Sequence, residues 1–276
     1  METTALTQMA VRNLCKLPNG KEIVYKSRPE TAQFYADIFE KQIYMRNGVK
    51  LPSGGVVFDV GANIGLFSLF AAQFSGVRIF AFEPAPEIFR LLQENVERHG
   101  VPARLFNCGL GARSESRGLT YYPRSSGLSS FYGNQEEECA SLRAVLSQSM
   151  RSLSREDREE LSENMDALIE SRLLKQIVPC EIQKLSSIIR QYEVSQIDLL
   201  KVDVQKSELD VLLGIDADHW VKVKQIAMEV QDGGGRLQGI LSLLADRGYQ
   251  VSVEQDELYS ESTHYNVYGR ATSAGS

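Results

Sequence analysis

The residues best placed to do chemistry are two acids, each near the end of a short apolar run. Asp59 lies in the run Val56–Val60, just before a glycine-spaced turn, and Glu83 directly follows the run Arg78–Phe82. If both runs are parallel strands of an α/β sheet, the turn, a helix N-terminus and a carboxylate surround one crevice. A cofactor that contains a nucleoside could bind there.

The spacing of the turn indicates which cofactor fits. A dinucleotide fingerprint is G-x-G-x-x-G, and it receives a pyrophosphate at the helix N-terminus. This turn instead has Gly61 and Gly65 with Asn63 between them, and Asp59 precedes it. A carboxylate faces a pyrophosphate badly but suits an ammonium group. S-adenosylmethionine is therefore favoured, with its amino acid head at Asp59 and its ribose diol at Glu83. The remaining alternative is an ordinary strand–turn–helix connection with a capping Asn63.

Further candidate cofactor contacts follow from their position along the chain. The two turn glycines and Asn63 are expected to surround the methionine end of the cofactor. Asn107 and Cys108 end the third predicted strand, where they could contact the edge of the adenine ring. Tyr44 lies near the end of a predicted N-terminal helix and could close the pocket.

The acceptor of a methyl group needs alignment with the donor and exclusion of water, and a hydroxyl acceptor also benefits from a base. Asp203 ends the fourth predicted strand and Glu229 lies near the end of the fifth, so both are candidates for orienting or deprotonating the acceptor. Asp203 could instead cap the helix at Ser207 or bind the amine of the cofactor. Together with Asp232, the two acids could also hold a divalent metal. No metal is predicted, because the spacing is loose and no histidine accompanies them.

One of the three histidines is a candidate base. His264 opens the last predicted strand and could point at the crevice. His99 lies at a helix C-terminus, where a cation suits the dipole. His219 lies beside Trp220, where packing explains it.

The elements that must position these residues alternate between short apolar runs and amphipathic helices, which is typical of a parallel sheet covered on both faces. The predicted strands are Val56–Val60, Arg78–Phe82, Arg104–Cys108, Ile197–Val202 and Gln225–Val230, and the predicted helices are Leu66–Phe74, Glu87–His99, Ser207–Leu213 and Arg236–Arg247. Tyr249–Glu254 and Tyr265–Arg270 are predicted to close the sheet as an antiparallel edge pair. The pattern predicts an α/β, Rossmann-like fold with a mostly parallel seven-stranded sheet.

Residues 1–50 are predicted to form an N-terminal arm that packs on the core. The Asn-Gly pair in Pro18–Lys21 indicates a hairpin. A helix capped by Thr31 is expected to reach about Tyr44, and the arm could close over the crevice or merely pack on the sheet.

The rest of the chain, 51–276, is predicted to be one catalytic domain with an insertion at about 134–176. Two helices are expected there, Glu136–Met150 and Ser154–Leu174, because apolar residues recur at helical spacing. Their apolar stripe must be buried, and we expect it at the mouth of the crevice, as a lid that shapes the acceptor pocket. Packing of the pair elsewhere is the alternative.

Composition narrows the class of protein. The 276 residues are 43% hydrophobic and 24% charged, with a net charge of −6, which argues against a nucleic-acid-binding surface. No apolar stretch approaches a membrane span, and the N-terminus lacks the pattern of a secretory signal. The four widely spaced cysteines suggest neither a zinc site nor a disulfide framework. A cytoplasmic protein with free thiols is therefore expected.

Four motifs in one order resemble the FkbM family of S-adenosylmethionine-dependent methyltransferases. They are Phe58–Gly65, Ala81–Pro86, Ser126–Ser130 and Asp198–Val204, and the resemblance extends from about Leu17 to Arg270. The insertion and the stretches 229–232 and 253–256 resemble the branch found within or beside polyketide synthase and nonribosomal peptide synthetase assembly lines.

The resemblance implies a class I methyltransferase fold and O-methylation of a hydroxyl, on a small molecule or on an acyl or peptidyl chain tethered to a carrier protein. It also implies that the loop containing Ser129 forms a wall between cofactor and acceptor. Methylation of nitrogen or carbon in a free metabolite or sugar, and a non-catalytic cofactor-binding module, stay open as alternatives.

The chain departs from the family pattern at two places. Gln205-Lys206-Ser207 follows the fourth strand, where the family usually has an acid and small residues. Gln231 stands where a histidine suited to act as general base is expected. Because glutamine cannot accept a proton at neutral pH, His264 becomes the candidate for a replacement base.

Overall fold

The computed structural model describes residues 13–150, 154–255 and 263–272. It begins with the predicted hairpin, in which β1 (Leu14–Lys16) pairs antiparallel with β2 (Glu22–Val24). The prediction of a hairpin around Asn19-Gly20 is confirmed, and Gly20 has a φ of 85°, which glycine adopts without strain.

The first helix starts earlier than predicted and ends earlier. Helix α1 (Arg28–Tyr35) is capped by Ser27, whose side chain accepts a hydrogen bond from the Glu30 amide. The expectation that Thr31 is the cap was wrong, since the Thr31 hydroxyl donates to the Ser27 carbonyl at 2.8 Å. The chain then widens into one π-helical turn, Ala36–Glu40, before a short 3₁₀ turn that contains Tyr44.

The central sheet has seven strands, as predicted. They are β3 (Val56–Val60), β4 (Arg78–Phe82), β5 (Ala103–Phe106), β9 (Leu199–Val202), β10 (Gln225–Gln231), β11 (Tyr249–Glu254) and β12 (His264–Ala271). Their order is β5-β4-β3-β9-β10-β12-β11, and within this sheet β12 alone is antiparallel to the others. The closing pair is antiparallel as expected, but β12 lies between β10 and the edge strand β11.

Helices cover both faces of this sheet, and each face has its own apolar cluster. On one face lie α2 (Leu66–Ala71), α3 (Pro86–Arg98) and apolar residues of the N-terminal arm. On the other lie α6 (Leu185–Gln191), α7 (Glu208–Leu213) and α8 (Arg236–Asp246). The predicted α/β architecture with helices on both faces is confirmed. The bounds of α2, α3, α7 and α8 differ from the predicted ones by at most three residues, whereas α6 was not predicted. None of the described helices is long and apolar enough to cross a bilayer.

A second, three-stranded sheet is absent from the sequence-based prediction. It consists of β6 (Gly109–Leu110), β7 (Glu115–Tyr121) and β8 (Gln176–Gln183), in the order β6-β8-β7. Strand β7 has few apolar residues and β8 contains a proline, so neither has the continuous apolar pattern used to identify the central strands.

The insertion between β7 and β8 forms the two predicted helices, α4 (Gln135–Ser149) and α5 (Arg155–Arg172). The Ser154 side chain caps α5 by accepting from the Asp157 amide at 3.1 Å, as its sequence position predicts. The apolar stripe of the pair packs on itself and on Tyr122 and Leu128, which belong to the segment that follows β7.

The strand order reverses between β3 and β9, so a crevice opens there at the carboxyl ends of the strands. Gly61 directly follows β3 at this point, with a φ of 77°. A Cβ atom at position 61 would lie 1.8 Å from the Asp203 carbonyl oxygen, so only glycine allows the two chain segments to approach.

Candidate active site

One large cavity, about 1240 Å³ with its open mouth included, lies over this crevice. The predicted site residues that line it are Tyr44, Gly61, Asn63, Glu83, Cys108, Ser129, Asp203 and Glu229. Residues of the N-terminal arm and of the loop 126–131 also form its walls. The sheet edge, the arm and the loop therefore bring together segments that are far apart in sequence.

Glu83 is fixed with its carboxylate at the cavity. It is 7% exposed, and its two oxygens accept hydrogen bonds from the backbone amides of Asn63 at 3.0 Å and Ala85 at 2.9 Å. Burial raises the pKa of Glu83 to about 7, against the lowering effect of these two amides. Each oxygen keeps one lone pair, so the carboxylate can accept from two further donors, which a ribose diol supplies.

Asp59 lies one layer behind the cavity wall. Its carboxylate is fully buried, contacts Lys201 Nζ at 3.1 Å and accepts a hydrogen bond from the Ser68 hydroxyl at 2.7 Å. The structure therefore does not place Asp59 against the cavity, where the predicted contact with the cofactor ammonium would need it. Asp59 instead compensates a buried lysine.

Lys201 is a charged residue of the cavity lining that the sequence-based predictions missed. It is 3% exposed, lines the cavity, and donates to the Gly61 carbonyl at 2.8 Å while its ammonium lies 3.7 Å from Asp203. Burial alone would lower the pKa of Lys201, but Asp59 and Asp203 outweigh it and the pKa is raised. A signal was present, because a lysine inside the apolar strand Leu199–Val202 requires a buried carboxylate partner.

Two other predicted residues, Asn107 and Gly65, are placed outside the cavity lining. The Asn107 side chain donates to the Glu83 and Pro84 carbonyls at 2.9 and 3.1 Å, so it supports the turn that carries Glu83. Gly65, with a φ of 93°, precedes helix α2 and packs near Leu92. Asn107 and Gly65 thus support the wall, and the direct cofactor contacts expected of them stay predictions.

His264 also lies outside the lining. It pairs with Gln231 in the β10–β12 register, so the two side chains share one sheet face, the face of Glu229. Burial lowers the pKa of His264, although Asp203 opposes this. A neutral imidazole near Asp203 is consistent with a base, and the role of His264 stays a prediction.

The N-terminal arm forms part of the cavity wall, which decides between its two predicted positions. Phe34, Asp37 and Tyr44 line the cavity, and a Cβ atom at Gly127 would lie 2.9 Å from the Phe34 ring. Glu30 accepts a hydrogen bond from the Gly127 amide at 3.1 Å, which ties the arm to the opposite wall. The arm therefore closes over the crevice.

The helical insertion, in contrast, contributes no residue to the cavity lining among the residues that the structure describes. Its apolar stripe packs behind the loop at the cavity through Tyr122 and Leu128. The expected lid over the acceptor pocket is thus not formed by the described part of the insertion. The arm and the loop 126–131 line the cavity instead.

The end of the cavity opposite Glu83 is acidic. Asp203 accepts a hydrogen bond from the Tyr44 hydroxyl at 2.9 Å, and Asp37 and Glu229 line the same cavity. Burial, with the neighbouring Asp203 and Asp37, raises the pKa of Glu229 well above its ordinary range. Burial together with Asp203 and Glu229 also raises the pKa of Tyr44, so its phenol stays neutral and donates.

Of the three acids considered for a metal site, Asp203 and Glu229 line the cavity and Asp232 does not. The Asp232 side chain accepts from the Leu237 amide at 3.0 Å and so caps helix α8. Among the described residues, a group with metal-ligand spacing is found elsewhere, at Asp216, Asp218 and His219. Asp216 there already pairs with Lys184 and Arg190.

This arrangement fits S-adenosylmethionine. The Glu83 carboxylate has acceptor capacity for a ribose diol, and the acidic lining suits a ligand with a sulfonium and an ammonium group. Cys108 is 2% exposed, and burial raises the pKa of its thiol to about 12, so it contributes a neutral surface at the third strand. Gly61 lets the chain turn closely beneath the ligand.

Comparisons with known proteins agree with this geometry. The family model described as the methyltransferase FkbM domain matches residues 59–251. The 31-O-demethyl-FK506 methyltransferase FkbM of Streptomyces tacrolimicus is 34% identical over 264 residues, which cover 93% of this chain and 96% of that protein.

Two further similarities cover smaller shares of the proteins concerned. The AMB antimetabolite synthetase AmbE of Pseudomonas aeruginosa is 38% identical over 263 residues, which cover 91% of this chain but 12% of that protein. The crystal structure of methyltransferase FkbM from Methylobacillus flagellatus KT superposes with a TM-score of 0.51 at 16% identity, over 83% of this chain and 47% of that one, and supports the fold alone. The chain therefore belongs to the FkbM family of S-adenosylmethionine-dependent methyltransferases.

Proposed function

We propose that this methyltransferase acts on a hydroxyl oxygen, with Glu229 as the group that receives its proton. The observation that carries the proposal is the state of the Glu229 carboxylate. It lines the cavity, and within the described part of the chain no hydrogen bond or ion pair engages it. Its raised pKa means that Glu229, when it is ionised, binds a proton more strongly than an ordinary glutamate does.

The positions of Glu83 and Glu229 suit the two ends of the reaction. Glu83 follows β4 and Glu229 lies on β10, with β3 and β9 between them. Three interstrand spacings of about 4.8 Å place the two carboxylates about 14 Å apart across the sheet. The ribose at Glu83 therefore leaves room for the reacting methyl group and an acceptor before Glu229 is reached.

S-adenosylmethionine supplies a methyl group already activated on a sulfonium. With S-adenosylmethionine bound, the acceptor oxygen would bond to the methyl carbon as the sulfur–carbon bond broke, and the hydroxyl proton would pass to the ionised Glu229 carboxylate. Tyr44 and Lys201 hold Asp203 beside this position, so a second carboxylate stabilises the proton on its neighbour. Phe34 and the arm exclude water from the site.

We further propose that the hydroxyl belongs to an intermediate tethered to an acyl or peptidyl carrier protein. The name of the Streptomyces relative specifies an oxygen as acceptor, and AmbE is named a synthetase. In AmbE the region similar to this chain is a small part of a long protein, which is the arrangement expected of a domain that modifies tethered chains.

The test uses three carrier-bound acyl chains of matched length: 3-hydroxybutyryl, butyryl and 3-aminobutyryl. Each is incubated with the enzyme and S-adenosylmethionine, and intact mass is measured. We expect the mass of one methylene to be added to the hydroxyl-bearing chain alone. Methylation of the butyryl or aminobutyryl chain would contradict the choice of oxygen.

Two controls separate the parts of the proposal. The same 3-hydroxybutyryl group as a free pantetheine thioester should react with a higher KM, and equal reaction would remove the carrier from the proposal. Glu229→Gln should lower kcat by about a hundredfold, the lower end of what general bases contribute, with unchanged S-adenosylhomocysteine affinity.

A further inference from the structure

The turn after β9 is strained at the point where it borders the cavity. Gln205 and Lys206 have φ angles of 37° and 70°, and two consecutive residues with side chains rarely adopt this region. Val204, Gln205 and Ser207 line the cavity, so the strained backbone forms part of its wall. Such a conformation persists only if its surroundings hold it.

The helical insertion holds this turn through a buried ion pair. Lys206 is 6% exposed, and its ammonium lies 2.9 Å from Glu138 on α4, whose side chain is also buried. The Tyr122 hydroxyl donates to the other oxygen of Glu138 at 3.2 Å. Lys206 also pairs with Glu137 at 2.7 Å. The Glu137 side chain is exposed, so solvent screens this second ion pair.

Two further hydrogen bonds fix the backbone of the turn. The Ser130 hydroxyl donates to the Gln205 carbonyl at 2.6 Å, and the Lys206 amide donates to Glu208 at 2.8 Å. The turn is therefore held from the cavity loop, from α7 and from the insertion at once.

The next residue along the chain has no partner for its side chain. Ser207 is 4% exposed and lines the cavity, and in the described part of the protein its hydroxyl makes no hydrogen bond. Ser207 occupies the cap position of α7 without capping it. A buried polar group left without a partner requires an explanation, such as a ligand that completes it.

We propose that Ser207 binds the acceptor hydroxyl, and that the Lys206–Glu138 pair is the positioning device that presents it. This inference rests on the proposed hydroxyl acceptor. The insertion then acts on the acceptor site from behind the wall, by holding the strained turn, instead of covering the site. Ser207 follows β9 and so lies on the same side of Glu83 as Glu229, where the acceptor must lie.

Three variants test the proposal with the 3-hydroxybutyryl carrier protein as substrate. Ser207→Ala should raise the KM for this substrate about three- to tenfold, the value of one hydrogen bond, and leave S-adenosylhomocysteine affinity unchanged. Glu138→Gln should raise the KM and lower kcat together. Arg143→Gln breaks a surface ion pair within the same insertion and is the control, expected to change neither value.

Hydrogen exchange supplies a readout that needs no substrate. Glu138→Gln should speed amide exchange in residues 203–208 while β3 stays protected, and Arg143→Gln should not. Unchanged exchange in Glu138→Gln, or an unchanged KM in Ser207→Ala, would overturn the proposal. If exchange responds as expected but no hydroxyl chain is methylated, the proposed function fails while the positioning of the turn stands.

Discussion

The raised pKa of Glu83 predicts that cofactor binding depends on pH. Its carboxyl group has a pKa of about 7, against an ordinary value of 4.5, because it is buried. A ribose diol donates hydrogen bonds, which favour the charged carboxylate over the neutral acid. The ligand must therefore bind the deprotonated form, and binding must release a proton wherever Glu83 is protonated beforehand.

The magnitude follows from this pKa. If Glu83 is fully ionised in the complex, the apparent Kd equals the Kd of the ionised enzyme multiplied by a factor. This factor is one plus the ratio of neutral to charged Glu83 in the free enzyme. Between about pH 8 and pH 6 this factor rises about tenfold, or about 1.4 kcal/mol, and at pH 7 about half a proton is released per ligand. Affinity for S-adenosylhomocysteine should thus fall as the solution becomes more acidic.

The stability of the free enzyme depends on pH in the opposite direction to its affinity for the ligand. The folded-state pKa of Glu83 lies above its unfolded value, so the folded protein holds the extra proton between pH 4.5 and about 7. The contribution of Glu83 to stability is present below this window and is lost as the pH rises through it. A bound ribose should reverse that loss, so the ligand should raise the melting temperature more at pH 8 than at pH 6.

Calorimetry measures the released proton directly, by titrating S-adenosylhomocysteine in buffers of different ionisation enthalpy. Glu83→Gln should bind weakly and lose the pH dependence, because glutamine cannot ionise. Glu229→Gln, which changes another carboxyl group that lines the same cavity, should keep it and serves as the matched control. If Glu83→Gln retained the tenfold dependence, another group would release the proton and the assignment of Glu83 to the ribose would be refuted.

Three further predictions concern the wall behind the ligand. Asp59→Ala should remove the nearer of the two carboxylates beside the buried Lys201 ammonium and leave only Asp203, at 3.7 Å, and it should cost about 3–5 kcal/mol in the free energy of unfolding, which chemical denaturation measures; a loss below about 1 kcal/mol would contradict the buried pair. Gly61→Ala should abolish S-adenosylhomocysteine binding in calorimetry, since its Cβ would lie 1.8 Å from the Asp203 carbonyl oxygen, and wild-type affinity would show that the turn can move. Tyr44→Phe removes one hydrogen bond to Asp203 and should lower kcat several-fold in the methylation assay without weakening S-adenosylhomocysteine binding; an equal loss of both would place Tyr44 at the cofactor instead.

Much of the central sheet could be predicted from the sequence because the relevant signals are local. The runs Val56–Val60 and Arg78–Phe82 form strands with those bounds, and Gly61 and Glu83 follow them at the sheet edge. Apolar periodicity and turn chemistry act within a few residues, so they are readable without tertiary contacts. The same holds for Ser154, whose role as the cap of α5 is predictable from its position three residues before Asp157.

Tertiary structure decided how these elements are combined. The placement of β12 between β10 and β11, and the pairing of β7 with β8 across the insertion, depend on contacts between distant segments that no local pattern encodes. For the same reason the arm, predicted either to close the crevice or to pack on the sheet, forms the cavity wall, and the insertion lies behind it.

The residues of the site show the same contrast between what local sequence predicts and what the tertiary structure decides. The sequence by itself determined that an acid follows the second strand at the crevice, because residue type and strand end are both local properties. Only the fold decided that Asp59 serves Lys201, 142 residues away, and that Lys206 reaches Glu138, because a buried charge takes whichever opposite charge the packed chain places beside it.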